Sequence, residues 1–575
     1  MDPTRLTPWL RGSPAKNARR KTWLSSIQRL PRGDGLSHAE EYALSLQKSS
    51  VFIRFVRANG ITNLDEQEEL SEALGDVLPI DMHRKMFIPA LQLSMTSDQL
   101  ATWLPLALEY KILGAYAQTE LGAYTYVSRA FHAALGHGSN VQGLETTATY
   151  VPHTRGFLLH SPTLTSRKWW PGGLGKTANF AVVYARLLLP RGDDVGLHAF
   201  VVQLRDLTTH ASLPGIHVGD IGPKAGFNGV DNGYCTFDRV HVPGAHLCLA
   251  TARVAWDVHG DLVVHQATSP DKNKWGYFTM VKTRVFLVAK CGRFLARATT
   301  CTARHFCHGA DRRRLLPWVA LSFAVFFTGE TLLRQYEMVL QERSDAGLAH
   351  LHATSCGLKA LVAALAVDGI DACLSVRAHD TACVFLEHLR QGILGASTYE
   401  GTFDVLVLQH ASYLVKAHRA NTTTRTNQRP TSKRWDELNT LVEWFAYRAA
   451  AMATSVAAAS SVSMLQKTRL SVVHSECTLL QALANASKRT STSGGNVATT
   501  LAALGVHLGH RWLVDNLHEF RQADDDALWL SSVDGDAVVT LLATSPTGDD
   551  LCDDLAAITA SWDFTHDEVP ASSRL

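Results

Sequence analysis

Apolar positions along the chain recur at two different periods, and the switch between them divides it into four stretches. From Arg5 to about Tyr110 the spacing is three and four. HAEEYALSLQKSSVFIRFVRANG puts its apolar residues on one helical face and ends in Gly60, and DEQEELSEALGDVLP repeats the pattern. From Glu145 the period falls to two, in ETTATYVP, GFLLHSP, NFAVVYARLLLP, GLHAFVVQL and GYCTFDRVHVP, with turns rich in Gly, Pro and Asp between them. These stretches predict a compact β-domain over roughly Tyr116 to Leu249. After Val254, runs such as YFTMVKTRVFLVAKCGRFLARAT and SCGLKALVAALAVDGIDACLSV return to the helical period and predict a bundle. The polar stretch from His418 to Arg434 reads as a loop or linker before a second helical region. The order α, β, α, α gives expected domains of 1–115, 116–255, 256–430 and 431–575.

Composition adds exclusions. With 575 residues, 46% hydrophobic and 19% charged, the chain is an ordinary globular one. A formal net charge of +2 supplies no field that would draw it to nucleic acid or a membrane surface. The apolar run Leu315 to Leu333 contains Pro317, Ser322, Thr328, Gly329 and Glu330, so a buried core helix is expected there and no membrane span. Ten scattered cysteines without a CxxC pair predict reduced thiols and no metal site. The first residues lack an apolar segment after their basic ones and do not read as a secretory signal. The last three, Ser573, Arg574 and Leu575, match the small-basic-Leu pattern of a peroxisomal address.

Three segments carry candidate chemistry. GAYAQTELG (Gly114 to Gly122) offers small residues beside Gln118, Thr119 and Glu120, which suits close contact with a flat polar ring. TSRKWWPGGLGKTANFAVVYARL (Thr165 to Leu187) sets two tryptophans before a glycine-rich turn, where backbone N–H groups can approach a ligand that a Cβ would block. By residue type alone, Trp169 and Trp170 read as core or turn packing, PGGLG as a tight turn, and Arg167 with Lys168 as a solvated basic pair. STYEGTFDVLVLQHASYLVK (Ser397 to Lys416) places Glu400 before Gly401, by itself a solvated turn.

AQTELG, GLETTATY, KWWPGGLGKTANFAVVYARL, GLHAFVVQLRD, LPGIHVGDIGPKAGFNGVDNGY and RVHVP occur here in one order. In that order they resemble the peroxisomal acyl-CoA oxidase family, most densely from Ile112 to Pro243. The resemblance implies an α+β, mainly α fold: an N-terminal helical domain, a central β-barrel-like domain and two C-terminal helical-bundle domains, as a homodimer holding FAD. It implies oxidation of a fatty acyl-CoA to the trans-2-enoyl-CoA with O2 reduced to hydrogen peroxide. Carried over by motif, Thr119 looks like the residue that hydrogen-bonds the flavin ring and Gly172 like the flavin contact on the KWWPGG turn. Asp231, Asn232 and Gly233 read as structural. The Thr-aromatic-Glu-Gly turn resembles the family's base segment and makes Glu400 the candidate proton acceptor, since taking an α-proton from a thioester requires an acceptor placed over that carbon.

The chain departs from the family at four places. Removing Ala123 to Gly136 restores an uninterrupted TELG-to-GLETTATY motif, which reads as a retained intron or as a surface insertion beside the flavin. After Cys301 the Arg-x-Gln segment is missing, with Arg304 and His305 as loose substitutes. Between Ser375 and Gly395 a GGHGY run is replaced by VRAHDTACVFLEH, and ASWDFTHDEVPASSRL stands where relatives continue. Alongside the oxidase stand a non-catalytic relative that has lost FAD and binds acyl-CoA or a partner subunit, and an acyl-CoA dehydrogenase.

Overall fold

The computed structural model describes residues 2–28, 30, 35–74, 77–124, 143–252, 254–259, 261–264, 278–306, 310–376, 381–420, 429–432, 434–491, 495–522, 551–565 and 568–569. Most of the segment Ala123 to Gly136 and the residues Ser573 to Leu575 lie outside these ranges, as do 377–380 and 421–428. The backbone clusters into two compact units, one of Trp23–Thr283 and one of Met1–Thr22 with Arg284–Leu575.

In the continuous unit, helix His38–Ala58 begins where the sequence supplies a reciprocal cap. The Ser37 hydroxyl accepts from Glu40 N–H, and the Glu40 carboxylate accepts from Ser37 N–H. Helices Leu64–Leu74 and Ser97–Leu108 follow, with a π-helical turn at His83–Phe87 leading into Ile88–Ser94. The period-two stretches are strands β1 (Gly114–Ala117), β2 (Thr147–Val151), β3 (Gly156–His160), β4 (Lys168–Trp169), β5 (Phe180–Leu188), β6 (Asp194–Gln203), β7 (Ile216–Asp220), β8 (Gly233–Phe237) and β9 (Val240–Pro243). One sheet runs β1-β5-β2-β3-β9 with β6 also on β5, and a second runs β4-β8-β7. β5 and β6 form an antiparallel hairpin from Phe180↔Gln203 to Leu188↔Asp194. One face of the larger sheet buries Ala115, Phe157, Leu159, Val183, Leu187 and Phe200 in a single core; the other packs Tyr116, Val182 and Val201 on the helical residues Phe87, Leu91 and Trp103.

The second unit is helical among its described residues, with Ala310–Glu342, Asp345–Val376, Thr381–Leu394, Phe403–Ala420, Leu438–Ala458, Met464–Thr490 and Gly495–Asp515 after the helix Phe278–Phe306. The Leu315 to Leu333 run lies in Ala310–Glu342, which is long and apolar enough to cross a membrane but is mostly buried inside the protein. Small residues let these helices approach closely: a Cβ on Gly329 would stand 2.7 Å from the Ala289 backbone. The helices Pro3–Arg11 and Pro14–Ser26 reach to the far end of the chain. Arg20 Nη1 bonds Glu568 Oε2 at 2.6 Å, Arg11 Nε donates to the Trp562 carbonyl at 2.6 Å, and Lys21 pairs with Asp563. Burial works to raise the Glu568 pKa, yet Arg11 and Arg20 hold it below the usual carboxylate value. Nine cysteines fall in the described residues and all are free.

Candidate active site

In the Trp23–Thr283 unit, buried charges tie the sequence motifs to one another. The Glu120 carboxylate accepts from Glu145 N–H at 2.7 Å, Thr146 N–H at 3.1 Å and Lys168 Nζ at 2.8 Å, which joins TELG to GLETT and to KWW. Lys168 is therefore no solvated residue. Its side chain is fully inaccessible, donates also to the Tyr184 carbonyl, and has a pKa lowered by burial against the pull of Glu120. Arg167 is half-buried with its guanidinium 4.7 Å from the Tyr234 ring centre and its Nε unpartnered. The basic pair expected in solvent is thus taken into the fold, because each member has a specific partner far along the chain.

Asp231 anchors the glycine-rich turn. Its carboxylate accepts from Lys176 N–H at 2.6 Å, Thr177 N–H at 2.7 Å and the Thr177 hydroxyl at 2.9 Å, while burial outweighs these bonds and raises its pKa. Gly233 N–H donates to the Pro171 carbonyl at 2.9 Å, and a Cβ on Gly233 would stand 2.3 Å from Gly175 N, so the two loops meet backbone to backbone.

On this scaffold Trp169 N–H donates to the Thr119 carbonyl at 3.0 Å, which brings two of the candidate segments together. Thr119 is half-buried and its hydroxyl bonds no described residue. Trp169 is half-buried and stacks on Tyr234, with centroids 6.0 Å apart and planes at 18°. Trp170 is held at φ 82°, and Asn232 donates to its carbonyl at 2.7 Å while Asn232 Oδ1 stays buried without a partner. An unpartnered hydroxyl and amide oxygen around half-buried indoles fit a flat polar ring. Gly172 is buried on the same turn, where a Cβ would meet Met82 Cγ at 2.7 Å. Packing alone thus requires glycine there.

Glu400 lies in the other unit, at φ 59°, followed by Gly401 at φ 111°. Left-handed backbone at a glutamate costs about 1–3 kcal/mol and persists where neighbours impose it. Two buried cations impose it here. Arg284 Nε donates to the Glu400 carbonyl at 2.9 Å, and Lys359 Nζ donates to the Gly401 carbonyl at 2.6 Å. Arg284 also reaches His352 Nδ1 at 3.2 Å and Cys356 Sγ at 3.4 Å. That bond defines His352 as neutral, consistent with a pKa lowered to about 4 by burial and by Arg284. The Glu400 carboxyl hydrogen-bonds no described residue. The residue keeps part of its surface accessible, but protein surrounds the carboxyl closely enough that burial raises its pKa against the opposing charges of Arg284 and Lys359. A carboxyl of this kind, unbonded and tuned upward, can take a proton from carbon.

Arg284 and Lys359 were not singled out by sequence, although each is a cation in a strongly apolar helical run, and cations bury only when partnered. Arg304, a loose substitute for a flavin contact, donates to the carbonyls of Phe564 and Val569 at 3.2 Å each.

This architecture is that of the acyl-CoA oxidases. Arabidopsis thaliana acyl-CoA oxidase 1 superposes with a TM-score of 0.85 at 27% identity, over 99% of this chain and 91% of that one. Caenorhabditis elegans acyl-CoA oxidase-2, crystallised with FAD, ascaroside-CoA and ATP, gives 0.82 at 27% identity, over 99% and 89%. Residues 2–113 match the family description "Acyl-coenzyme A oxidase N-terminal" and residues 306–415 "Acyl-CoA oxidase, C-alpha1 domain". Human peroxisomal acyl-coenzyme A oxidase 1 is 35% identical over 447 residues, covering 72% of this chain, and the chain spans 64% of that relative's length. The chain belongs to the acyl-CoA oxidase family.

Proposed function

We propose that this chain is an FAD-dependent acyl-CoA oxidase that converts a fatty acyl-CoA to its trans-2-enoyl-CoA with release of hydrogen peroxide. The observation that carries this reading is the Glu400 carboxyl: raised in pKa, unbonded among the described residues, and set on a left-handed turn held by Arg284 and Lys359. Family membership supports it, as does the neighbour crystallised with FAD and ascaroside-CoA. Glu400 takes the α-proton, and the nearby cations offset the charge of its ionised form. Thr119 would hydrogen-bond the flavin from its free hydroxyl, with Gly172 contacting it from the KWWPGG turn. FAD, when bound, supplies the acceptor for the β-hydride and passes the electron pair to O2.

The same reading takes the chain as a homodimer of four-domain subunits, divided as 1–115, 116–255, 256–430 and 431–575, and places it in the peroxisome, where the curated relatives' names put them. A visible spectrum of protein purified with FAD, before and after anaerobic addition of a long-chain acyl-CoA, tests it. Flavin absorbance that bleaches with substrate and returns with air, releasing peroxide, is the expected result. Protein that retains no flavin, or flavin that acyl-CoA does not bleach, overturns it.

A further inference from the structure

Lys359 is 1% exposed in a helix whose neighbouring positions, Leu358, Ala360, Leu361, Val362 and Ala363, are all buried and apolar. A buried ammonium is costly where a methionine would fill the same space, so the lysine must be retained for its charge or its N–H groups. Arg284 divides its guanidinium among Glu400, His352 and Cys356, whereas among the described residues Lys359 donates only to the Gly401 carbonyl. The second residue of the turn between them is a glycine, whose backbone is free to move unless something holds its carbonyl. Gly401 sits at φ 111°, and any Cβ there would meet Leu406 Cδ2 at 2.6 Å.

We propose that Lys359 is a positioning residue for Glu400: its ammonium group, bonded to the Gly401 carbonyl, fixes the left-handed turn so that the carboxyl is presented with no hydrogen-bond partner among the described residues and next to a compensating charge. This rests on the reading of Glu400 as the proton acceptor. The other groups facing the pair are Arg284 and Cys291 from Phe278–Phe306, His352 and Cys356 from Asp345–Val376, and Gln409 from Phe403–Ala420. His352 is neutral and burial raises the Cys356 thiol, so the charges set around the carboxyl are those of Arg284 and Lys359.

Two variants separate the hydrogen bond from the charge. K359M removes both, and K359Q keeps an N–H donor without the charge. Turnover, KM, pH profile and melting temperature are measured on the FAD-loaded protein. The Glu400 carboxyl band is titrated by infrared difference against E400Q, a readout that needs no turnover. K359M is expected to lose roughly 10²-fold in kcat, the cost of about 1 Å of misplacement, with KM little changed. K359Q is expected to lose less. Both should shift the carboxyl titration, and the acid limb of the rate, to higher pH, because a charge that favours the carboxylate is gone.

Unchanged kcat with an unmoved titration overturns the proposal, as does a fall in kcat and melting temperature that leaves the titration unmoved, since that is the mark of a merely structural lysine. If K359M does not fold, K359Q carries the test. Wild-type flavin that acyl-CoA fails to bleach sinks the oxidase reading instead, and the infrared titration still decides whether Lys359 sets the state of Glu400.

Discussion

Arg284 holds Glu400 by its backbone carbonyl, at 2.9 Å, and the carboxyl of the same residue bonds none of the described residues. A guanidinium bonded directly to the carboxylate would quench its basicity; one bonded to the peptide fixes where the side chain starts and acts on its charge only through space.

Glu400→Gln preserves the turn and removes the proton acceptor. Flavin reduction by acyl-CoA should fall by roughly 10²–10⁴-fold while flavin content and acyl-CoA binding persist. Stopped-flow bleaching under anaerobic conditions reads it, and wild-type bleaching in this variant would remove Glu400 from the role.

The same carboxyl sets an acid limit. Burial raises its pKa above the ordinary 4.5 despite Arg284 and Lys359, and a base works only when ionised. The rate of flavin reduction should therefore rise with pH through a midpoint above 4.5. A rate that is flat down to that value would show that the carboxyl is not raised or is not the base.

Gly401→Ala should damage the site without touching a charge. The φ of 111° and the 2.6 Å approach to Leu406 force either the turn or the leucine to move, at about 1–3 kcal/mol of stability and with loss of turnover. Urea midpoints and kcat measured together test this, and an unaltered variant would show that the turn is compliant.

Lys168→Met strands the Glu120 carboxylate in the core with its countercharge gone. A loss of roughly 3–5 kcal/mol is expected, partly recovered when Glu120→Gln is added. Chemical denaturation of both single variants and the double measures it, and a loss in the double equal to the sum of the two single losses would mean the pair is not coupled.

His83 ties the π-helical turn to β1, its Nε2 against the Ala107 carbonyl and its Nδ1 accepting from Gly114 N–H. Burial lowers its pKa from 6.5 to about 4, so the folded protein favours the neutral ring. The unfolded chain takes up the proton first as pH falls. Stability held above pH 6.5 is therefore lost progressively toward pH 4, by about 3 kcal/mol from this residue. His83→Gln should lower stability at neutral pH but flatten its decline between pH 7 and 5, as followed by melting temperature. An unflattened decline would assign the acid sensitivity elsewhere.

The strands were legible because their signal is local. The stretch that forms β5, FAVVYARLL, is a short apolar run whose second half alternates between buried and half-buried positions, and the core helix at Leu315 to Leu333 was legible from the polar residues that interrupt it. The surroundings of Glu400 were not. Lys359 finds its acceptor 42 residues away and Arg284 finds its own 116 away, separations that no local period encodes. Glu400 itself stood out only through resemblance to a family, because a glutamate before a glycine has the same pattern in a solvated turn as in this one. Lys168 misled for a related reason: beside Arg167 it reads as surface charge, and the Glu120 that draws it inside lies 48 residues upstream.

The bond from Arg20 to Glu568 spans 548 residues, and it fixes an order of assembly. Residues Trp23 to Thr283 are contiguous and can pack as soon as they leave the ribosome, whereas the first helices belong with Arg284 to Leu575 and must wait for partners made more than 500 residues later. During synthesis Arg11 and Arg20 stay without their carboxylate until Glu568 has been made. A chain arrested near residue 300 should accordingly present protease-resistant fragments from within Trp23 to Thr283 with its amino-terminal helices open to cleavage. Those helices would be the place where an unfinished molecule differs most from a finished one.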